Sequence, residues 1–510
     1  MARINSNLPS LIAQKNLAAA NEDLQVRLQR LATGLKINRG ADNPAGLIIS
    51  ERLRSEISGL TQAVENSDRA SSVIATAEGG LAEVSNLLNS IKGLVVEAAN
   101  TGAISAEERH ANQLQIDSAI ESITRISNSV SFGGLKLLNG SLDYVLSGLQ
   151  SDSIAKATIF GANFARQPNI QVNVSVIASA QTANLFLSAP TGTFLSTTTL
   201  EVSGNEGVQT IDILSGQTIS EVAAAINSFK AATGVSATLI NPLDVTSGLR
   251  LSSVGYGSQD FVSLKRLGGP SNGGFFKTYE LIGNASVPQN FSLSDPTITP
   301  LLTASNRDQG RDVSAVVNGV LGTGTGLKIS LQNSTSLSME LLLDQTFATN
   351  NGSSSTFYIT GGGALYQLGS SINTSQQTNI GIQSLAASRL GGTLINGTLA
   401  YLTSIRSGGA NDLNSGNFTE ASDVLDTAID EVSVIRGRLG AFEHNTLQTT
   451  VRSLQATIEN LTSSESRIRD ADFAEETSQL TRSQILVGAG TSVLALANQQ
   501  SQSVLQLLGR

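Results

Sequence analysis

A leucine-weighted helical period at both ends of this chain, absent from the long stretch between them, constrains the fold more than any other feature. Near the start, Leu17, Leu24, Leu28, Leu31 and Leu35 keep heptad spacing, with Asn21 where the repeat lacks a leucine. After a loop at 38–46, Ile57, Leu60 and Val64, then Ile74, Ala77, Leu81, Val84, Leu88, Ile91, Val95 and Ala98, step by three and four. Ser67 and Ser71 weaken the stripe between these runs, which predicts a phase shift near 64–74. A helix over 57–99 would run about 65 Å at 1.5 Å per residue. Ile116, Ile120, Ile123 and Ile126 predict a further helix over 105–129. At the other end, Leu425, Ala428, Val432, Ile435, Leu439 and Phe442 form one stripe, and Val451, Leu454, Ile458 and Leu461 resume it after a second phase shift near 442–451. The last stretch carries Leu486, Ala489, Val493, Leu496, Gln500, Val504 and Leu507. These are coiled-coil spacings.

The middle has a different character. Seven of the nine prolines lie between Pro168 and Pro300, and residues 45–167 and 301–510 have none. Residues 1–143 carry 28 charged side chains and 401–510 carry 21, whereas the longer stretch 144–400 carries only 24. Proline breaks helical hydrogen bonding, so proline-free, charge-rich ends read as helix. Short Val/Ile runs among Ser, Thr, Gly and Asn read as strands and turns. The fold class is therefore α+β: long N- and C-terminal helices paired in a coiled-coil-like core, with a central β-rich region of one to three modules. Neither end makes a complete bundle alone. Two helices bury only part of each stripe, and a fully wet leucine forgoes roughly 1.5–3 kcal/mol. Copies of such a chain complete the burial by assembling.

Composition excludes several function classes. The 510 residues include no cysteine and two histidines, His110 and His444, so thiolate chemistry, disulfides and most histidine-built metal sites lack their parts. Net charge is −9, which speaks against a nucleic-acid binder. No apolar signal segment opens the chain, and no run approaches about 18 consecutive apolar residues, so neither a cleaved signal nor membrane insertion is expected. The glycines of GTGTG (322–326) precede the alternating LKISLQ, which predicts a hairpin turn rather than a phosphate loop before a helix. Asp470 and Asp472, two apart, do not share a helix face and read as helix-start or solvated charges rather than metal ligands. No acid–base or nucleophile constellation is present, so no enzyme, catalytic residue, metal or cofactor is expected.

The two ends resemble bacterial flagellins. LQRLATGLKINRGADNPAGLIISERLRSEISGLTQA (28–63) resembles the N-terminal signature of that family, and SRIRDADFAEETSQLTRSQILVGAGTSVLALANQQSQSVLQLLGR (466–510) its C-terminal signature. SNSVSFGGLKLLNG (127–140) resembles the β-hairpin segment, and 208–240 the small strand–helix–strand motif shared with hook-associated proteins, its helix expected at 219–231. The resemblance implies a subunit that polymerises into the flagellar filament and transmits motor torque. It implies a terminal helical core domain (1–45 and 466–510), a helical shell with a β-hairpin (46–145 and 401–465), and a surface-exposed variable region (146–400). Leu17, Leu24, Leu28, Leu31, Leu35, Leu486, Val493, Leu496, Val504 and Leu507 are the expected assembly positions. Implied partners are other copies, an export chaperone gripping the C-terminal helix, and hook-associated and cap proteins. Implied localisation is extracellular, reached through the type III flagellar export apparatus without a cleaved signal peptide. Some flagellins carry a metalloprotease insert built on H-E-x-x-H; residues 144–400 here contain no histidine, which rules it out. Some are detected by an animal innate immune receptor through an Arg, a Leu and a Glu; the matching positions are Ser90, Leu94 and Gln115, so both charges are missing and weak recognition is expected. A hook–filament junction protein shares the terminal helices and stands as the alternative, as does an adhesin or binding module carried by the middle.

Overall fold

Helices occupy both ends and strands the middle. The computed structural model describes residues 7–508 except 165–166, 189–190, 269–276, 284–286, 289, 294, 334–336 and 396, with backbone alone for 333 and 501–508. The helices are α1 (Leu8–Thr33), α2 (Pro44–Ala98), α3 (Ala106–Ser129), α4 (Ile219–Ser228), α5 (Lys230–Thr233), α6 (Gln345–Ala348), α7 (Phe418–Phe442), α8 (Gln448–Arg469) and α9 (Phe473–Leu508). The chain divides into two compact units: Met1–Ala70 with Gln367–Gln377 and His444–Arg510, and Ser71–Tyr366 with Thr378–Glu443.

Local chemistry sets the helix ends. Asn43 accepts the Gly46 N–H at 2.9 Å just ahead of Pro44, so α2 starts thirteen residues before the 57 expected from the stripe. Proline suits a first turn, where its missing N–H has no partner to lose. Ser105 and Glu108 close a capping box on α3, and Thr218 and Glu221 do the same on α4.

The expected phase shift at 64–74 is absent. The buried face of α2 runs through Leu60, Ala63, Ser67, Ala70, Ile74, Ala77, Leu81, Val84, Leu88, Ile91, Val95 and Ala98 in unbroken three-four steps. Val64 is only half-buried and lies off this line. Ser67 is fully buried, and its hydroxyl donates to the Ala63 carbonyl at 2.9 Å. Small side chains thus continue a seam that a search for large apolar residues loses. The second expected shift, at 442–451, takes a definite form: a π-helical turn at Glu443–Leu447 between α7 and α8. One wide turn inserts an extra residue and re-phases the helix. On α7, Leu425, Ala428, Val432, Ile435 and Leu439 are buried as expected, and Phe442 is half-buried against Tyr366 with ring centroids 6.0 Å apart. On α8, Val451, Leu454, Ile458 and Leu461 are only half-buried.

The second unit holds the β structure. A five-stranded sheet (order Val320–Leu321, Ser314–Val317, Ile170–Ala178, Ser354–Gly362, Tyr144–Ser147) and a four-stranded sheet (Thr323–Thr325, Lys328–Asn333, Leu337–Leu343, Ile154–Ala162) share one apolar core, with Val172, Val174, Phe357, Ile159, Met339 and Leu341 buried in it. Between Ala178 and Ser314 the chain builds another pair of sheets around Leu185, Leu200, Val222, Ile226, Leu251 and Leu264. The motif at 208–240 folds as strand Val208–Ile213, α4, α5 and strand Val235–Leu239, so its expected single helix breaks at Phe229. The GTGTG segment belongs to a hairpin, but where a turn was expected Thr323–Thr325 is a strand paired with Lys328–Ser330, and the turn follows at Gly326–Leu327. A Cβ on Gly324 would lie 1.8 Å from the Val313 carbonyl oxygen, so only glycine allows that approach. Ser131–Phe132 and Leu135–Lys136 form the expected small hairpin across Gly133–Gly134.

Candidate functional site

The paired terminal helices are where the sequence pattern and the structure diverge most informatively. Asn7 starts α1 by accepting the Ser10 N–H, and Gly34, at φ +73°, ends it. Asp472 starts α9 by accepting the N–H groups of Ala474 and Glu475 at 2.9 and 3.1 Å, the helix-start role expected of it; Asp470 caps the end of α8.

α1 and α9 run antiparallel. Asn7 Nδ2 donates to the Ala497 carbonyl at 3.1 Å and Ser10 Oγ to Asn498 Oδ1 at 2.8 Å at one end, and Arg27 and Arg30 reach Glu476 at the other. The α1 seam is Ser10, Ala13, Leu17, Ala20, Leu24, Arg27 and Leu31; the α9 seam is Glu476, Leu480, Ser483, Val487, Gly490, Leu494 and Ala497. Both alternate three and four, the knobs-into-holes spacing. The pair lies close at Gly490, where a Cβ would stand 3.2 Å from Leu17 Cδ1.

The lower seam is ionic. Glu476 is 5% exposed and takes Arg27 at 3.0 Å and Arg30 at 3.1 Å, and Arg27 also pairs with Asp23 at 3.1 Å. Burial by itself would push the Glu476 carboxyl up, but the hydrogen bonds from Arg27 and Arg30 outweigh it and hold the group below its usual range. The Ser483 hydroxyl, which donates to Asp23, holds that carboxyl down as well. Two carboxylates and two guanidiniums thus form a neutral group within a seam of small and aliphatic side chains. A stripe traced through leucines misses these residues; the signal is nonetheless present, since positions 27 and 476 fall on the three-four count.

The expected assembly residues separate into two sets. Leu17, Leu24 and Leu31 are half-buried in the seam, and Leu35, past the helix end, is half-buried in an isolated bridge to Asp470. Leu28, Leu486, Val493 and Leu496 face away from the partner helix. The Leu486, Val493 and Leu496 stripe of α9 is therefore not the pairing seam, which alternates Leu480, Val487 and Leu494 with the small Ser483, Gly490 and Ala497 that permit close approach. Val504 and Leu507 have side chains outside the described residues. Leu8, Leu11, Ile12, Phe473, Ile485, Leu486, Val493 and Leu496 are 49% to 71% exposed, an apolar surface along both helices. Phe473–Gln500 is, by length and composition only, long and apolar enough to cross a bilayer, contrary to the expectation from the absence of an unbroken apolar run; 11% of its most apolar window is buried. Ser90 and Gln115 are exposed and Leu94 is half-buried. No group of three or more potential metal ligands occurs among the described residues.

Comparison with known proteins bears on this surface. Residues 4–143 match the bacterial flagellin N-terminal helical region, 422–508 the bacterial flagellin C-terminal helical region, and 199–255 the flagellin hook IN motif. The chain is 30% identical to the B-type flagellin of Pseudomonas aeruginosa, with 99% of each chain covered. It is 28% identical to a flagellin of Salmonella typhimurium and 26% identical to flagellin D of Vibrio cholerae, again over 99% of each. With its long terminal helices, its β-rich middle and relatives matched from end to end, the chain belongs to the bacterial flagellin family and is a structural subunit of the flagellar filament.

Proposed function

We propose that copies of this flagellin join through the outward apolar faces of α1 and α9, so that 1–45 with 466–510 form the inner core of the filament, 46–145 with 401–465 its shell, and 146–400 its outer surface. One observation carries the reading: Leu8, Leu11 and Ile12 of α1 and Phe473, Ile485, Leu486, Val493 and Leu496 of α9 stay open to solvent on helices already paired with each other. Large exposed apolar patches mark association surfaces. Burying each such side chain contributes roughly 1.5–3 kcal/mol, which self-assembly realises and an isolated subunit does not. Val493→Pro tests this. It breaks α9 in its exposed middle and is expected to abolish polymerisation while the β-rich unit keeps its circular dichroism signal; normal filaments by electron microscopy would refute it.

The same surface suits an export chaperone that shields α9 before assembly, and export proceeds without a cleaved signal peptide. Long uninterrupted helices such as α2, roughly 80 Å for 55 residues, provide torsional stiffness for torque. The π turn at Glu443–Leu447 is the place where register changes during waveform switching. Ser90 and Gln115 leave the immune receptor no charge to pair with, and a reporter-cell assay is expected to show weak activation or none.

A further inference from the structure

We propose that opposite charges on the outward faces of α1 and α9 set the register in which neighbouring copies join, with Arg482 of one copy meeting Glu22 of the next, or Glu475 meeting Lys15. The inference rests on the joining surface given above.

The charges of the helix pair divide into two groups. Asp23, Arg27, Arg30 and Glu476 pair with one another within the subunit. Lys15, Glu22, Glu475 and Arg482 are exposed, and none of the four makes an ion pair among the described residues. In each helix the two outward charges stand seven residues apart, a spacing that returns to the same face. Leu8, Lys15 and Glu22 therefore lie along one line of α1, and Glu475, Arg482, Ala489 and Leu496 along one line of α9, all of them exposed. Arg482 borders an open groove of about 440 Å³ with Ser478, Thr481, Ile485 and Leu486.

The occupant follows from charge complementarity. These charges share their lines with apolar side chains that joining covers, so covering Leu8 and Leu496 takes water from Lys15, Glu22 and Arg482 as well. A charge removed from water without a partner is strongly destabilising. Each outward cation then needs an anion from another copy, and the identical copy carries one on the facing line. Copies that all point the same way along a polymer keep α1 of one antiparallel to α9 of the next. In that arrangement Arg482 set on Glu22 also brings Leu496 to Leu8, since each lies fourteen residues further along its line. A slip of seven residues sets Arg482 on Lys15 and Glu475 on Glu22, two like-charge contacts at once. Seven more bring Glu475 to Lys15. The pattern offers two attractive registers and penalises the one between them, and repulsion of this kind selects a register.

Charge reversal tests the assignment, with the critical concentration for polymerisation as the readout. Arg482→Glu and Lys15→Glu are made singly, and each is then combined with reversal of its partner, Glu22→Arg or Glu475→Lys. At least one single reversal is expected to raise the critical concentration about tenfold with the subunit's own melting unchanged, and the matching second reversal to restore it. The pair that restores polymerisation identifies the register. The proposal is overturned if neither single reversal raises the critical concentration, or if neither double reversal restores it. Val493→Pro keeps the two readings apart. Normal filaments from that variant would overturn the joining surface itself, whereas its failure to polymerise beside unaffected charge reversals would overturn the register alone.

Discussion

At the scale of single residues, the seam carboxylates Asp23 and Glu476 and the α7 carboxylate Asp423 respond to acid in opposite directions. Asp23 and Glu476 have lowered values in the folded helix pair, against ordinary values of 3.8 and 4.5. Groups of this kind stabilise the fold above their unfolded pKa, and that stability is lost as pH falls through the folded values. The α1–α9 pair is thus expected to loosen below about pH 4.5, read as loss of helical circular dichroism. Asp423 on α7 behaves oppositely. Desolvation, then repulsion from Glu206, Asp426 and Glu420 only partly offset by Lys92, pushes its carboxyl from 3.8 up to about 6. A raised acid binds its proton more tightly when folded, so the contribution of Asp423 becomes more favourable as pH falls from about 6 to 4. Asp423→Asn is expected to stabilise the second unit at pH 7 by about 1 kcal/mol, the shift being discounted because the side chain reaches solvent, and to flatten its pH dependence in urea titrations. Glu476→Ala tests the ionic seam: it removes the carboxylate that Arg27 and Arg30 share, leaving Asp23 as the one anion beside two guanidiniums, and is expected to cost about 2–3 kcal/mol of helix-pair stability, with Glu476→Gln milder because it keeps an acceptor. Equal melting of both variants and the parent would contradict this.

At the scale of elements, glycine substitutions in α9 separate seam from surface. A Cβ on Gly488 would have nothing within 4 Å, while one on Gly490 would meet Leu17. Gly488→Ala is expected to raise helix stability by about 0.5–1 kcal/mol, and Gly490→Leu to lower the stability of the pair by about 1–3 kcal/mol through overpacking. Thermal melts of the two variants check both signs. Together the two glycines show what was legible in the sequence. That α9 is a helix was plain, because no proline interrupts it and apolar residues recur every three or four positions. Which face pairs was not plain, because Leu486, Val493 and Leu496 on the outward face equal Leu480, Val487 and Leu494 of the seam in apolar weight, and close approach comes from the small Ser483, Gly490 and Ala497 between them. Small side chains likewise hid the unbroken seam of α2 at Ala63, Ser67 and Ala70. At 442–451 a shift of phase was readable from the apolar positions, but its realisation as a π turn depends on backbone hydrogen bonding that side-chain spacing does not encode. The β-rich middle was legible as a class from its prolines and alternating runs. Its pairing order was not, because partners such as Val172 and Phe357 lie far apart in sequence and nothing local selects them.

At the scale of the whole molecule, burial is distributed unequally between the two units, and stability follows burial. The second unit contains extensive apolar clusters around Val174 and Phe357 and around Leu200 and Val222. In the helical unit, α8 has no buried residue, and among the described side chains of α9 only Glu476, Ser483 and Ala497 are buried. Urea is therefore expected to unfold an isolated subunit in two steps, with helical signal from 8–70 and 444–508 lost first and the β-rich unit later. Polymerisation adds a free-energy term only to the folded subunit, so it raises the midpoint of any step that also dissolves the filament. The first step is expected to move to higher urea as subunit concentration rises above the polymerisation threshold, while the second, which occurs after disassembly, stays fixed. Hydrogen exchange checks the assignment peptide by peptide: amides of α1 and α9 are expected to be weakly protected in subunits and strongly protected in filaments, whereas Val172–Val176 and Phe357–Ile359 change little. A single concentration-independent transition, with α1 and α9 as protected in the subunit as the strand Ile170–Ala178, would mean that the terminal helices need no neighbours, and the joining surface argued from Leu486, Val493 and Leu496 would have to be sought elsewhere.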